Sequence, residues 1–465
     1  GQISLREAIE AANATPNGDS ADVIHFEIAD ALVGGVHTID VSASGLPTIT
    51  DAVVIDGTSD SDFSGTPIIE LNGTSFAGDG LTLTTGSDGS TIRGLTINRF
   101  GDAGIRINGS ANNTIAGNWI GVDRDGTADL GNAGDGIAIV TGNNNTIGGA
   151  TAADRNVISG NNDEGSDIDA GVSGTVIQGN YVGTDTTGTA AIGNGQTGVG
   201  NWGGILIGGD NTTIGGINPG EGNLISGNNS WGIIIEGSNN VFQGNLVGTE
   251  ADGTSALGNT GHGVVLHDYA GGLNNLVGGT AANAGNVIAF NGLDGVEVTG
   301  GSGNSVLGNL IHSNSGLGID LVGGTEDGNG VTANDIGDGD TGANGLINYA
   351  VIYTAVISGG NVTITGEATA GATIEFFKAS GDGSGYGEGS EFVGRGIVGG
   401  ATPGTVDPAM RQFSFVFSVG TLTTADAVTS TVTDTSNNTS EFSANIDIND
   451  PPTDITPNVF NVNEN

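Results

Sequence analysis

Asn156-Val157-Ile158-Ser159-Gly160-Asn161 returns as Asn223-Leu224-Ile225-Ser226-Gly227-Asn228, and again, degraded, as Asn286-Val287-Ile288-Ala289-Phe290-Asn291. The copies start 67 and 63 residues apart (156 to 223, 223 to 286). A second motif, Gly121-Val122-Asp123, recurs as Gly183-Thr184-Asp185 and Gly248-Thr249-Glu250. A third, Asn145-Thr146-Ile147-Gly148-Gly149, is echoed at Thr213-Ile214-Gly215-Gly216 and Leu276-Val277-Gly278-Gly279. Self-similarity at a fixed period marks a repeat architecture whose units bury a core only by stacking. The period of about 65 residues divides into three strand-turn modules of about 21, each the size of one coil of a right-handed parallel β-helix. Strands are short, as in Ile137-Ala138-Ile139 and Ile233-Ile234-Ile235. Alternate side chains of such strands enter the core, so Ile stacks on Ile from coil to coil. Gly supplies left-handed corners, and Asn at equivalent corners can form side-chain ladders. A dozen or more coils at about 4.8 Å predict a rod roughly 60–70 Å long.

Outward from this body, Ser4-Leu5-Arg6-Glu7-Ala8-Ile9 opens with a capping box (Ser4, Glu7) ahead of an amphipathic helix. Such a helix would cover the open end of the solenoid. Residues 23–28, 37–41 and 52–55 alternate as the first strands. From residue 346 the Asn-Gly repeat stops and longer, aromatic-rich strands begin, the pattern of a small antiparallel, immunoglobulin-like β-sandwich. The expected division is solenoid 1–345, sandwich 346–447, and at 448–465 a Pro-stiffened linker with the first strand of a further domain.

The chain carries 52 acidic and 9 basic residues, a net charge of −43. That balance excludes nucleic acid as a partner, because phosphate binding needs Lys and Arg. No apolar run is long enough to enter a membrane as a helix. With no Cys, neither disulfides nor thiolate metal sites are available. Polyanionic glycans are repelled unless a cation bridges them.

Candidate sites each compete with a structural explanation. In the solenoid, Arg93, Arg99, Arg106, Arg124 and Arg155 could neutralise a uronate, or pair with nearby carboxylates. Gly261-His262-Gly263 matches a short element of polygalacturonase-like hydrolases, yet it fills the same repeat slot as Gly134-Asp135-Gly136. His267, Asp268 and Tyr269 follow on the next turn. Asp163, Glu164, Asp167 and Asp169 offer the paired carboxylates that glycosidases need, in a stretch that also reads as an acidic loop. Catalytic candidates are therefore His262, His267, Tyr269, Asp163 and Asp167. Recurring Asp123, Asp125, Asp129, Asp185, Glu250 and Asp252 form a periodic acidic stripe, set about 14 Å apart by three-coil spacing, or simply solvated turns. Calcium, which takes six to eight oxygens, has two places: Asp335, Asp338 and Asp340, and Asp447, Asn449 and Asp450. Trp119, Trp202 and Trp231 are sugar-stacking or turn-packing residues.

Ser4-Leu5-Arg6-Glu7-Ala8-Ile9, the repeats, Gly318-Ile319-Asp320-Leu321 and Thr439-Ser440-Glu441-Phe442-Ser443 resemble bacterial CSLREA-domain β-helix proteins, with Ile3 where that signature has Cys. The tail from Asp447 resembles the start of a cadherin-like repeat. The resemblance implies export and membership of a large multidomain surface protein, but no reaction. The expected role is an extracellular adhesion, scaffold or filament-forming module at the cell surface, with glycan binding, calcium stabilisation, self-association and contact with neighbouring domains of one long chain. The alternative is a carbohydrate-active enzyme, a polysaccharide lyase or glycoside hydrolase, using the β-helix groove.

Overall fold

The computed structural model describes residues 3–18, 20–195, 203–267, 273–381 and 383–449. Among these, three parallel sheets run along the solenoid. The first face holds ten strands, from Asp22–His25 to Ser305–Leu307. The second runs from His37–Asp40 to Leu310–His312, and the third holds nine strands, from Leu81–Thr84 to Ile319–Leu321. Inward residues stack by identity. On the first face Ile92, Ile115, Ile147, Ile177 and Ile214 are in register and fully buried.

Register corrects the coil count. Val157 pairs with Tyr181, Tyr181 with Leu224, and Leu224 with Leu246. The motif copies at Asn156 and Asn223 are thus two coils apart, and the 65-residue period holds two coils rather than three. Short and long coils alternate, because the loops at Asp123, Asp185 and Glu250 lengthen every second one. The short coil from Leu224 to Leu246 supplies all three faces in 22 residues, so a module of 21 matches the short coils and misses the long ones. Ten coils give a solenoid roughly 45 Å long, shorter than expected. The periodic acids are two coils, roughly 10 Å, apart.

Corners are held by Asn. Asn118, Asn156, Asn180, Asn223, Asn245, Asn286 and Asn309 form one ladder, each Nδ2 donating to the next Oδ1 over 2.8–3.2 Å. Asn132, Asn161, Asn194, Asn228, Asn259, Asn291 and Asn314 form another. These amides satisfy buried turn backbone that has no sheet partner. Gly148 shows why Gly sits beside them: its φ is +87° and a Cβ would lie 2.0 Å from the Gln178 carbonyl oxygen.

The helix Leu5–Ala14 has its capping box intact and buries Leu5, Ile9 and Ala12. At the other end two antiparallel sheets face each other across Phe376, Phe413, Phe415 and Phe417. The strand Leu310–His312 pairs antiparallel with Glu388–Ile397, joining the second face to one of these sheets. Glu388 also ends an Asn ladder, accepting from the backbone N–H and Nδ2 of Asn314, 2.9 Å each. The last strand, Ile446–Asn449, runs past the expected boundary at 447. Ile448 is buried in the sandwich core, so 448–449 belong to it and not to a linker. Trp202, Tyr269, Asp450 and the expected cadherin-like strand lie outside the described residues.

Candidate functional site

The third face is where the chemistry gathers. The middle residues of its strands align from coil to coil as Thr82, Arg106, Ala138, Asp167, Leu206, Ile234, Val265, Glu297 and Asp320, of which Ala138, Ile234 and Val265 are buried. A second column stands at the corner, one residue before the Gly that opens each strand: Asp79, Asp135, Glu164, Trp231, His262 and Asp294 among others. Beyond the strands stand Asp169, Glu236 and His267, whose backbone N–H groups bond the preceding coil. Four of the five sequence candidates, Asp163, Asp167, His262 and His267, therefore share one strip. Tyr269 lies outside the described residues.

At one end of the strip Asp135, Asp163, Glu164, Asp167 and Asp169 crowd together. Burial raises the carboxyls of both Asp135 and Glu164, and they bond to each other, so one proton is held between them. Burial, with the charges of Asp135, Asp169 and Glu236, pushes Asp167 up to about 7. Glu164 Oε1 and Asp167 Oδ1 are buried with no hydrogen-bond partner among the described residues. Arg106 borders the cluster, bonding Asp79 at 2.9 Å and Asp102 at 3.0 Å.

At the other end His262 Nδ1 lies 3.0 Å from Asp294 Oδ2, and its Nε2 lies 3.7 Å from Glu297 Oε1. Burial alone would lower the ring's pKa, but the Asp294 bond and the Glu297 charge outweigh it, and the net shift is upward. The Asp294 backbone N–H also points at Nδ1 at 3.3 Å. The shorter carboxylate contact suits a protonated ring. Trp231 meets His262 edge-on, with ring centroids 6.2 Å apart. Burial and the Asp294 charge push Asp320, next in register to Glu297, up to about 7. His267 Nδ1 stands 3.1 Å from Glu236 Oε1.

Elsewhere the expected sites divide. Oxygens of Asp335, Asp338 and Asp340 lie within 4.8 Å of one another at the solenoid-sandwich junction, and Asp340 Oδ1 is buried without a hydrogen-bond partner among the described residues. Asp447 and Asn449 lie exposed on the last sandwich strand. The periodic acids staple their own turns. Asp123 accepts from the N–H of Thr127 and Ala128, Asp185 from Thr189 and Ala190, and Asp252 from Thr254 and Ser255. Trp119 packs with Val122, Val157, Tyr181 and Ile192. Asp135, Asp294, Glu297 and Asp320 were missing from the sequence-based candidates. The signal for them was the residue before the strand-opening Gly and the second residue after it.

No protein-family model matches the chain, and no curated protein matches it. Among solved structures it is similar to ORF18 of Geobacillus virus E2, at 12% identity and a TM-score of 0.44, covering 94% of this chain and 71% of that one. It is similar to the A-module of mannuronan C-5 epimerase AlgE6 of Azotobacter vinelandii, at 16% identity and a TM-score of 0.34, covering 68% and 73%. It is also similar to the enzymatically active domain of tailspike protein 2 of bacteriophage CBA120, at 10% identity and a TM-score of 0.37, covering 95% and 73%.

Proposed function

We propose that the third face is a glycan-binding surface with hydrolytic capacity, and that Asp167 is its general acid. One observation carries this reading: Asp167, an outward residue of the third face, is largely buried among other carboxyls, and its own carboxyl is pushed up to about 7. Crowded, half-buried acids gain nothing in stability from one another, and strongly perturbed carboxyls cluster where chemistry needs them. Glycoside hydrolysis needs a protonated carboxyl to serve the leaving oxygen and an ionised one to act as nucleophile or base. Asp167 fits the first role, and Asp169 and Asp163, both raised by burial, are the neighbouring carboxyls for the second. Trp231 offers an apolar surface along the same strip.

The test is reducing-end release from a panel of neutral and acidic polysaccharides. Asp167→Asn should lower turnover by roughly 10²–10⁴-fold. Because the acid must hold its proton, the wild-type rate should fall as pH rises through about 7. An unchanged rate in the variant would reject the assignment. A second reading, an adhesion or scaffold module that holds glycan without cleaving it, is supported by Glu164, which is 4% exposed and beyond a substrate's reach. Binding across the panel without turnover would select it.

In the same reading the chain works outside the cell, with the N-terminal helix as the solenoid's cap and the two antiparallel sheets as an immunoglobulin-like module. Calcium at Asp335, Asp338 and Asp340 would brace the junction between them; the buried, unpartnered oxygen of Asp340 supports it.

A further inference from the structure

The nine cations of this chain are scarce enough that each unpaired one needs a reason. Of the five arginines in the solenoid body, four have carboxylates. Arg93 meets Asp56, Arg99 meets Glu70, Arg106 meets Asp79 and Asp102, and Arg124 meets Asp125. Arg155 has none within ion-pair distance among the described residues. Its guanidinium instead lies over the Tyr181 ring, 4.0 Å from the centroid, while its Nε donates to the Gly179 carbonyl at 3.1 Å. Those two contacts fix the plane of the fork and leave its Nη edge free of carboxylates.

The fork borders a recess of about 480 Å³ that Tyr181, Pro219, Leu224 and Leu246 line with apolar surface. Asn218 and Asn283 add amide groups at its edge. This volume lies within the range of small-ligand sites, roughly 300–1,000 Å³. The nearby carboxylate of Glu221 is turned back on its own loop, accepting from the backbone N–H and Nδ2 of Asn218, 2.9 Å each. Asp154, the residue before the arginine, likewise accepts from the Thr151 hydroxyl at 2.6 Å, so both acids have partners of their own and the arginine is left for something else. A planar guanidinium stacked on an aromatic ring, beside a part-apolar recess, matches an oxyanion attached to a ring with an apolar face.

We propose that Arg155 and the recess beside Tyr181 form a binding subsite for an acidic sugar unit, whose carboxylate or sulfate ester meets the Nη edge of Arg155. The ligand class rests on the carbohydrate reading above, but the site stands apart from the acidic strip, at the corner between the first and second faces. The net charge of −43 does not forbid a single anionic group there, because exposed charges beyond roughly 8 Å are screened at physiological ionic strength. A long polyanion would still be repelled, so the fitting ligand is a short or sparsely charged chain.

Calorimetric titration of the whole chain with trigalacturonate, with a sulfated disaccharide, and with neutral cellotriose tests this. One of the two anionic probes should bind in a way that depends on Arg155, and which one does so identifies the oxyanion; cellotriose should behave alike with the wild type and Arg155→Gln. Arg155→Gln should weaken that binding roughly ten- to hundredfold, the worth of hydrogen bonds to a charged group. Arg155→Lys should restore little, because an ammonium keeps the charge but not the fork. The fold-loss on Arg155→Gln should be the same with or without Asp167→Asn, which separates this site from the catalytic assignment. Circular dichroism and melting of each variant report folding. Absence of binding by both anionic probes overturns the proposal, as does equal binding of the anionic probe by folded Arg155→Gln. Failure of the panel to show turnover bears only on the acidic strip.

Discussion

Asn228 shows how one side chain carries a coil. Its Oδ1 accepts from the backbone N–H and Nδ2 of Asn194 at 3.2 and 3.1 Å, and its Nδ2 donates to Asn259 at 2.9 Å. It is fully buried, so water cannot replace these partners. Asn228→Ala should leave the Asn194 groups without their acceptor and lower stability by about 2–4 kcal/mol. Thermal unfolding of the variant against wild type measures the loss, and an unchanged melting temperature would mean that the ladder contributes nothing. This ladder was legible in the sequence because the same amide recurs in the same phrase. The acidic strip was not. Asp135, Glu164, His262 and Asp294 share a corner but differ in residue type, and loops of unequal length separate them. Only the register shows that they stack.

At the scale of elements, strand existence and the solenoid reading followed from the Ile and Gly phrases, while the coil count did not. A repeat period reports the shortest distance over which sequence looks alike, and here that distance is two coils because the Gly-Thr loops lengthen alternate ones. The junction shows another thing a repeat cannot announce. Glu388, Glu375 and Glu441, all from the sandwich, accept backbone N–H groups of Asn314, Gly308 and Leu321 from the last coils. Carboxylates from the sandwich thus occupy acceptor places that a further coil would fill, which protects an otherwise open sheet end. The Asp335–Asp340 loop sits at this junction and sharpens the calcium proposal. Adding millimolar Ca²⁺ to EDTA-treated protein should raise the melting temperature by several degrees. Asp340→Asn should abolish most of that rise, and equal melting with Ca²⁺ and EDTA would remove the ion from the junction.

For the whole molecule, the net charge of −43 and the raised carboxyls bear on the same observable, stability against pH. Asp167 and Asp320 are pushed up to about 7 and Glu441 to about 8, burial being the main cause for each. Between about pH 4 and these values the folded chain holds protons that the unfolded chain has released. Stability therefore falls as pH rises through 7 to 8. Groups shifted the other way, such as Asp56 beside Arg93 and Asp185 in its turn, lose their contribution only at pH below the ordinary carboxylate range. The melting temperature should accordingly be higher at pH 5.5 than at pH 8. Self-repulsion among 52 acids acts in the same direction, since protonation relieves it. Salt separates the two causes, because 1 M ionic strength screens exposed charges to about 3 Å but acts weakly on buried ones. The difference between pH 5.5 and pH 8 should persist in part at 1 M salt, and that residue should shrink in the Asp167→Asn, Asp320→Asn double variant. A melting temperature that rises from pH 5.5 to pH 8 would contradict the raised carboxyls, and with them the protonated acid on which the proposed chemistry depends.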